Sequence, residues 1–258
     1  MPNLVASVTV EPVDHRVLVA TVPALLRRIR ALSFGADRFL EYDGRRIEGL
    51  RNDVGAHPQV GARYTVVLKP TEDEPDPKPL GLDLLADAGD LFSVRFQQES
   101  VGGTIAVDRP RDPLSASVEV EASLPADVPY FAGPITGSGL LRLDDVPHRG
   151  DEPQVVASLE HRRARGGITV RITEQSDRTW LVTLTLRVQG RGLLRPVVAI
   201  AARVWLRSRW QEYVRKLPDE WATIRKDWPT GDPDELAAKL VAEWVDDLAV
   251  ELPTGVRP

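Results

Sequence analysis

Strict alternation of apolar and polar residues from Leu114 to Leu124 constrains this chain more than any other feature. Leu114, Ala116, Val118, Val120, Ala122 and Leu124 hold the even positions, and Ser115, Ser117, Glu119, Glu121 and Ser123 the odd ones. Successive side chains of a strand point to opposite faces of a sheet, so a period of two specifies a half-buried strand. The same period recurs at Ile168, Val170 and Ile172, and again at Val182, Leu184, Leu186 and Val188. Only the polar stretch Glu174 to Arg178 separates these two runs, so they are expected to pair as an antiparallel hairpin. Shorter strands are predicted at Leu4–Val10, Val17–Val22, Tyr64–Leu68, Phe92–Phe96, Thr104–Val107, Ile135–Leu143 and Val155–Leu159. Phe39–Tyr42 and Arg45–Leu50 flank Asp43-Gly44, a two-residue hairpin signal.

Helical spacing is rarer and concentrates towards the C-terminus. Leu25, Leu26, Ile29 and Leu32 predict a helix over Pro23–Leu32, with Pro23 in its first turn. Leu80–Ala88 reads as a short helix. A long amphipathic helix is expected from Leu193 to Leu217, opened by Pro196, ended by Pro218 and apolar along Leu194, Val197, Val198, Ala201 and Trp205. Asp219–Asp227 reads as a second helical stretch. Asp232, Pro233, Asp234 and Glu235 then supply a cap, a first-turn proline and early acidic residues for a helix over Pro233–Leu248. So short a helix cannot bury its apolar face alone and must pack on the body or on a partner. The fold class is therefore α+β with a mostly antiparallel sheet. The expected division is an α+β domain over 1–217 and an acidic helical tail over 218–258.

The chain has 258 residues, enough for a substantial core, and its 42% hydrophobic and 28% charged content is that of a globular protein. No run approaches the roughly 18 uncharged apolar residues of a membrane-spanning helix, and Met1 to Val10 lacks the order of a secretion signal. The expected location is cytoplasmic. Arg far outnumbers Lys, and Ala, Val, Pro and Asp are abundant, as GC-rich coding produces, so a bacterial source is expected. There is no cysteine, which excludes disulfides, thiolate nucleophiles and sulfur-ligated metals.

The net charge of −5 hides an asymmetry. Residues 161–216 hold thirteen basic against three acidic residues, and residues 217–258 ten acidic against four basic. Either the tail partly neutralises the basic section, or both are simply solvated faces, or the basic section binds anions. Within it, Arg162, Arg163 and Arg165 form a turn able to hold a phosphate, although such runs are more often simply solvated.

Chemistry-bearing motifs are few. His15, His57, His148 and His161 stand at unrelated spacings, so no metal site is expected. There is no phosphate-cradling glycine loop, dinucleotide fingerprint or nucleophile elbow, and no cofactor is implied. No strand interleaves aromatic and basic residues on one face, which disfavours sequence-specific nucleic-acid binding. All six tryptophans lie in the C-terminal third, where they read as core and helix-docking residues or, beside Arg203, Arg207 and Arg209, as a partner or membrane surface. Tyr130-Phe131 is an aromatic pair in a loop, able to close a pocket or cap the core.

The succession of antiparallel strands followed by Gly190-Arg191-Gly192-Leu193-Leu194-Arg195-Pro196 opening a long helix resembles the START-like (SRPBCC) superfamily of polyketide cyclases and lipid-transfer proteins. The match runs from Ile168 to Leu217. The resemblance implies a helix-grip fold, in which a curved antiparallel sheet packs on a long C-terminal helix, here with an appended helical tail. It also implies an apolar cavity between sheet and helix, holding a hydrophobic small molecule or lipid, with cyclase-type catalysis in some members. Phe92, Val94, Phe96, Val118, Val120, Leu184 and Leu186 on inward strand positions, with Val197, Ala201 and Trp205 on the helix, would line that cavity. Catalytic residues differ among members, and none carries over. The competing reading is a non-enzymatic protein whose basic C-terminal helix docks a protein partner, a second copy or an anionic membrane.

Overall fold

The structure, a computed structural model, describes residues 3–72, 75–124, 132–144, 146, 152–192, 195, 200, 206–227 and 231–248. In chain order its elements are β1 (Asn3–Val10), α1 (His15–Arg30), β2 (Ser33–Phe34), β3 (Phe39–Tyr42), β4 (Arg45–Val54), β5 (Arg63–Val66) and β6 (Leu80–Asp87). They continue with β7 (Leu91–Gln98), β8 (Val101–Asp108), β9 (Ser115–Leu124), β10 (Gly133–Arg142), β11 (Val155–His161), β12 (Ala164–Glu174) and β13 (Trp180–Gly190). Two helices close the described chain, α2 (Arg207–Asp227) and α3 (Pro233–Asp246). The class is α+β, and every strand pairing within each unit is antiparallel.

The chain divides into two compact units, each assembled from two separate stretches: Met1–Leu18 with Leu114–Thr230, and Val19–Pro113 with Gly231–Pro258. In the first unit the strand order is β1-β13-β12-β11-β10-β9. Register follows the alternation, so Leu4, Ala6 and Val8 stand opposite Leu186, Leu184 and Val182 on one face. That face buries Trp180, Val182 and Leu184 with Val10 against Trp210 and Val214 of α2. The Trp221 indole N–H donates to the Glu11 carbonyl at 2.8 Å and fixes α2 along the end of β1.

In the second unit the order is β2-β3-β4-β5-β6-β7-β8. The β3–β4 hairpin turns on Asp43 and Gly44, whose φ values of 54° and 69° give the twist that a two-residue connection requires. Leu40, Ile47, Leu50 and Val66 form the core of this unit with Val241, Val245 and Leu248. The short appended helix is thus buried on the body of the chain. Its start is capped as the sequence expects, the Asp232 carboxylate accepting the Asp234 N–H at 2.8 Å. Its end is tied down where the Lys69 N–H donates to the Asp247 carbonyl at 2.8 Å.

Several elements differ from expectation. Leu80–Ala88 is a strand, β6, held between β5 and β7. Its leucines at 80, 82 and 84 have the period of two, and pairing on both sides outweighs local helix propensity. Val17–Val22 is not a strand but part of α1, which begins at His15 beyond Asp14, whose carboxylate accepts the Arg16 N–H at 2.9 Å. Pro23 therefore lies inside that helix rather than in its first turn. Pro218 likewise does not end a helix, since α2 runs through it to Asp227. Residues 193–194, 196–199 and 201–205 of the expected long helix lie outside the described residues, as do Tyr130-Phe131 and His148.

Asp234 pairs with Arg27 at 2.8 Å and Asp246 lies 3.8 Å from Arg45, both arginines belonging to the second unit. Among the described residues no helix is long and apolar enough to cross a membrane.

Candidate functional site

The second unit encloses a pocket of about 460 Å³. Its walls come from the ladder that the alternation sets up: Leu84, Val94 and Ile105 stand side by side in register across β6, β7 and β8. Leu82 and Phe92 extend that wall, and Leu50 of β4 and Phe34 of β2 continue it. Leu25 and Ile29 of α1 close one side, while Leu240, Val241 and Trp244 of α3 close another. The helix that completes the pocket is thus the C-terminal α3, whose apolar stripe of Leu236, Leu240, Trp244 and Leu248 is legible in the sequence.

Four polar side chains reach the pocket, and they engage one another. A β-bulge between Leu84 and Ala86 shifts the β6 register, so that Asp87 pairs opposite Phe92 and joins Leu82 and Leu84 on the pocket side. There Asp87 meets Arg30 in the last turn of α1. The Arg30 Nε–H lies 3.1 and 3.0 Å from the two Asp87 oxygens, and Nη2 donates to Oδ1 as well. Both side chains are largely withdrawn from solvent, Arg30 to 33% exposure and Asp87 to 14%, which strengthens a charge-assisted bond of this kind.

The other pair is His57 with Tyr64. The His57 Nε2–H donates to the Ile29 carbonyl at 3.0 Å, an oxygen that also accepts the Leu32 N–H at 3.2 Å. The bond from Nε2 fixes the tautomer, leaving Nδ1 to accept the Tyr64 hydroxyl proton at 2.7 Å. Phe34 packs against both rings, with centroids 4.9 Å from His57 and 5.8 Å from Tyr64. Burial pushes the His57 pKa below its ordinary value, against the opposing pull of the Ile29 and Arg30 carbonyls. Burial also pushes the Tyr64 phenol up to about 12. Both groups are therefore neutral near pH 7.

Of the residues the sequence places in a cavity, Phe92 and Val94 line this pocket. Phe96, four positions along β7 from Phe92, is half-buried and is not one of its lining residues. Val118, Val120, Leu184 and Leu186 belong to the first unit, where Leu184 and Leu186 pack in its core and the two valines are half-buried on β9. Val197, Ala201 and Trp205 lie outside the described residues. Arg162, Arg163 and Arg165 fall in and beside the β11–β12 turn. The Arg165 Nε–H donates to Gln189 at 2.7 Å, and the Arg163 N–H donates to His161 Nδ1 at 3.3 Å, so the turn is braced by its own neighbours.

Arg30, His57, Tyr64 and Asp87 were not singled out as site residues from the sequence. Only the place of Arg30 at the end of an apolar helical stripe hints at it. Among the described residues, no group of three or more His, Asp or Glu side chains is placed to hold a metal ion. No family model matches this chain, and no curated protein is significantly similar to it.

Proposed function

We propose that this protein binds a hydrophobic small molecule or lipid in the pocket of its second unit. The observation that carries this reading is a cavity of about 460 Å³, within the range of small-molecule sites, with apolar walls and its four polar side chains bonded to one another. A filled core would leave no such space, since protein interiors pack at crystal density. Transfer of an apolar molecule from water into this space is favourable by roughly 25 cal/mol for each Å² of apolar surface removed from water. In this reading the ligand lies between the strands of the second unit and its helices α1 and α3. Any reaction there would be a cyclase-type rearrangement of an apolar substrate held away from water.

The test is titration of the intact protein with the apolar fluorophore N-phenyl-1-naphthylamine, paired with native mass spectrometry of the freshly purified chain. Saturable binding at one site is expected. The Val94→Phe substitution, which fills the pocket from β7, should weaken it by roughly tenfold or more with an unchanged circular dichroism spectrum. Binding that does not saturate, or that ignores Val94→Phe, sinks the proposal.

A further inference from the structure

The charges within the pocket define what it can accept. Arg30 and Asp87 are the charged side chains among its lining residues, and they cancel. His57 has both ring nitrogens engaged, one on the Ile29 carbonyl and one on the Tyr64 hydroxyl. The Arg30 guanidinium carries five N–H donors, and its bonds to Asp87 run through Nε and Nη2.

An anionic ligand head beside this pair would be stripped of water next to the Asp87 carboxylate, which already neutralises the Arg30 guanidinium. Like charges a few ångströms apart in a partly buried site repel strongly. An ammonium head would meet the same difficulty against Arg30. An uncharged molecule meets neither difficulty. The space itself holds on the order of 15 non-hydrogen atoms, taking about 30 Å³ for each as in liquid water.

Resting on the binding function proposed above, we infer that the pocket selects an uncharged amphiphile of this size. Its hydrocarbon body lies along Leu84, Val94 and Trp244, while the closed Arg30–Asp87 pair leaves no counter-charge for an ionic head.

Competition against bound N-phenyl-1-naphthylamine tests this with three probes of equal chain length near neutral pH: decan-1-ol, decanoate and decylammonium. The alcohol should displace the fluorophore at a concentration roughly tenfold or more below either ion. Any apolar cavity would show some such preference, so Asp87→Asn decides the matter. It leaves Arg30 without its counter-charge, and decanoate should gain roughly tenfold or more while decylammonium weakens further. The double variant Arg30→Gln with Asp87→Asn removes both charges and should again reject both ions, and an unchanged circular dichroism spectrum reports that each variant is folded. Decanoate competing as well as decan-1-ol in the wild type overturns the inference and leaves the binding function standing. An order of affinities unchanged by Asp87→Asn does the same. Should Asp87→Asn fail to fold, an ion gaining in the double variant as much as the alcohol does would overturn it. Failure of the fluorophore itself to bind removes both.

Discussion

His57 joins a helix end to a strand: its Nε2 proton goes to the Ile29 carbonyl of α1, and its Nδ1 takes the hydroxyl proton of Tyr64 on β5. Because burial lowers its pKa, the folded chain resists protonating this ring at a pH where the unfolded chain accepts the proton. Stability from His57 is therefore complete above the ordinary value of 6.5, and is lost as pH falls from there through the lower folded value. Thermal melts should show a midpoint that is level above about pH 6.5 and declines below it. The decline should shrink in His57→Gln, and an equal decline in that variant would refute the assignment. At this scale little was legible in advance. Arg30 and Asp87 are separated by 57 positions, and His57 reaches back 28 positions to Ile29. Such meetings are properties of the folded chain. The bulge in β6 adds a further concealment, since it moves Asp87 onto a face that strict alternation assigns to even-numbered residues.

Strands were legible where the alternation was clean, because one-sided burial selects one face. The strand expected at Leu114–Leu124 is β9, the Ile168–Val188 hairpin is β12 with β13, and the Asp43-Gly44 turn stands where it was expected. Helix limits were less legible. Pro23 and Pro218 both lie inside helices, since tertiary packing of Ala24, Leu26 and Val214 outweighs one missing N–H. Within the sheet, Gly139 of β10 marks a close approach, as a Cβ there would lie 2.9 Å from the Val118 side chain. Gly139→Ala should destabilise the β9–β10 pairing by about 1–3 kcal/mol, measured by denaturant unfolding. Gly81→Ala, whose added Cβ would meet a backbone oxygen at 3.6 Å, is the control and should be nearly neutral. Equal losses in the two would show that β-propensity rather than crowding sets the effect.

Each unit of the molecule draws on distant parts of the chain, and this organisation was not legible from local patterns. The alternation identifies β1 as a strand, but not that Asn3 faces Arg187 across a ladder. The stripe on α3 shows that the helix must be buried without saying against what. Leu248, fully buried among Leu40, Ile47 and Leu50, makes the point testable. Leu248→Ala should cost about 2–5 kcal/mol, and amide exchange should rise along β3, β4 and β5 together. Faster exchange confined to residues beside position 248 would refute a shared core. The same arrangement governs how the protein is made. During translation β2 to β8 leave the ribosome well before Leu240, Val241 and Trp244 exist, and β1 waits for β13. A nascent chain extending to residue 230 thus carries the second unit's apolar wall without α3 to cover it, a surface for chaperones to shield until the last helix emerges.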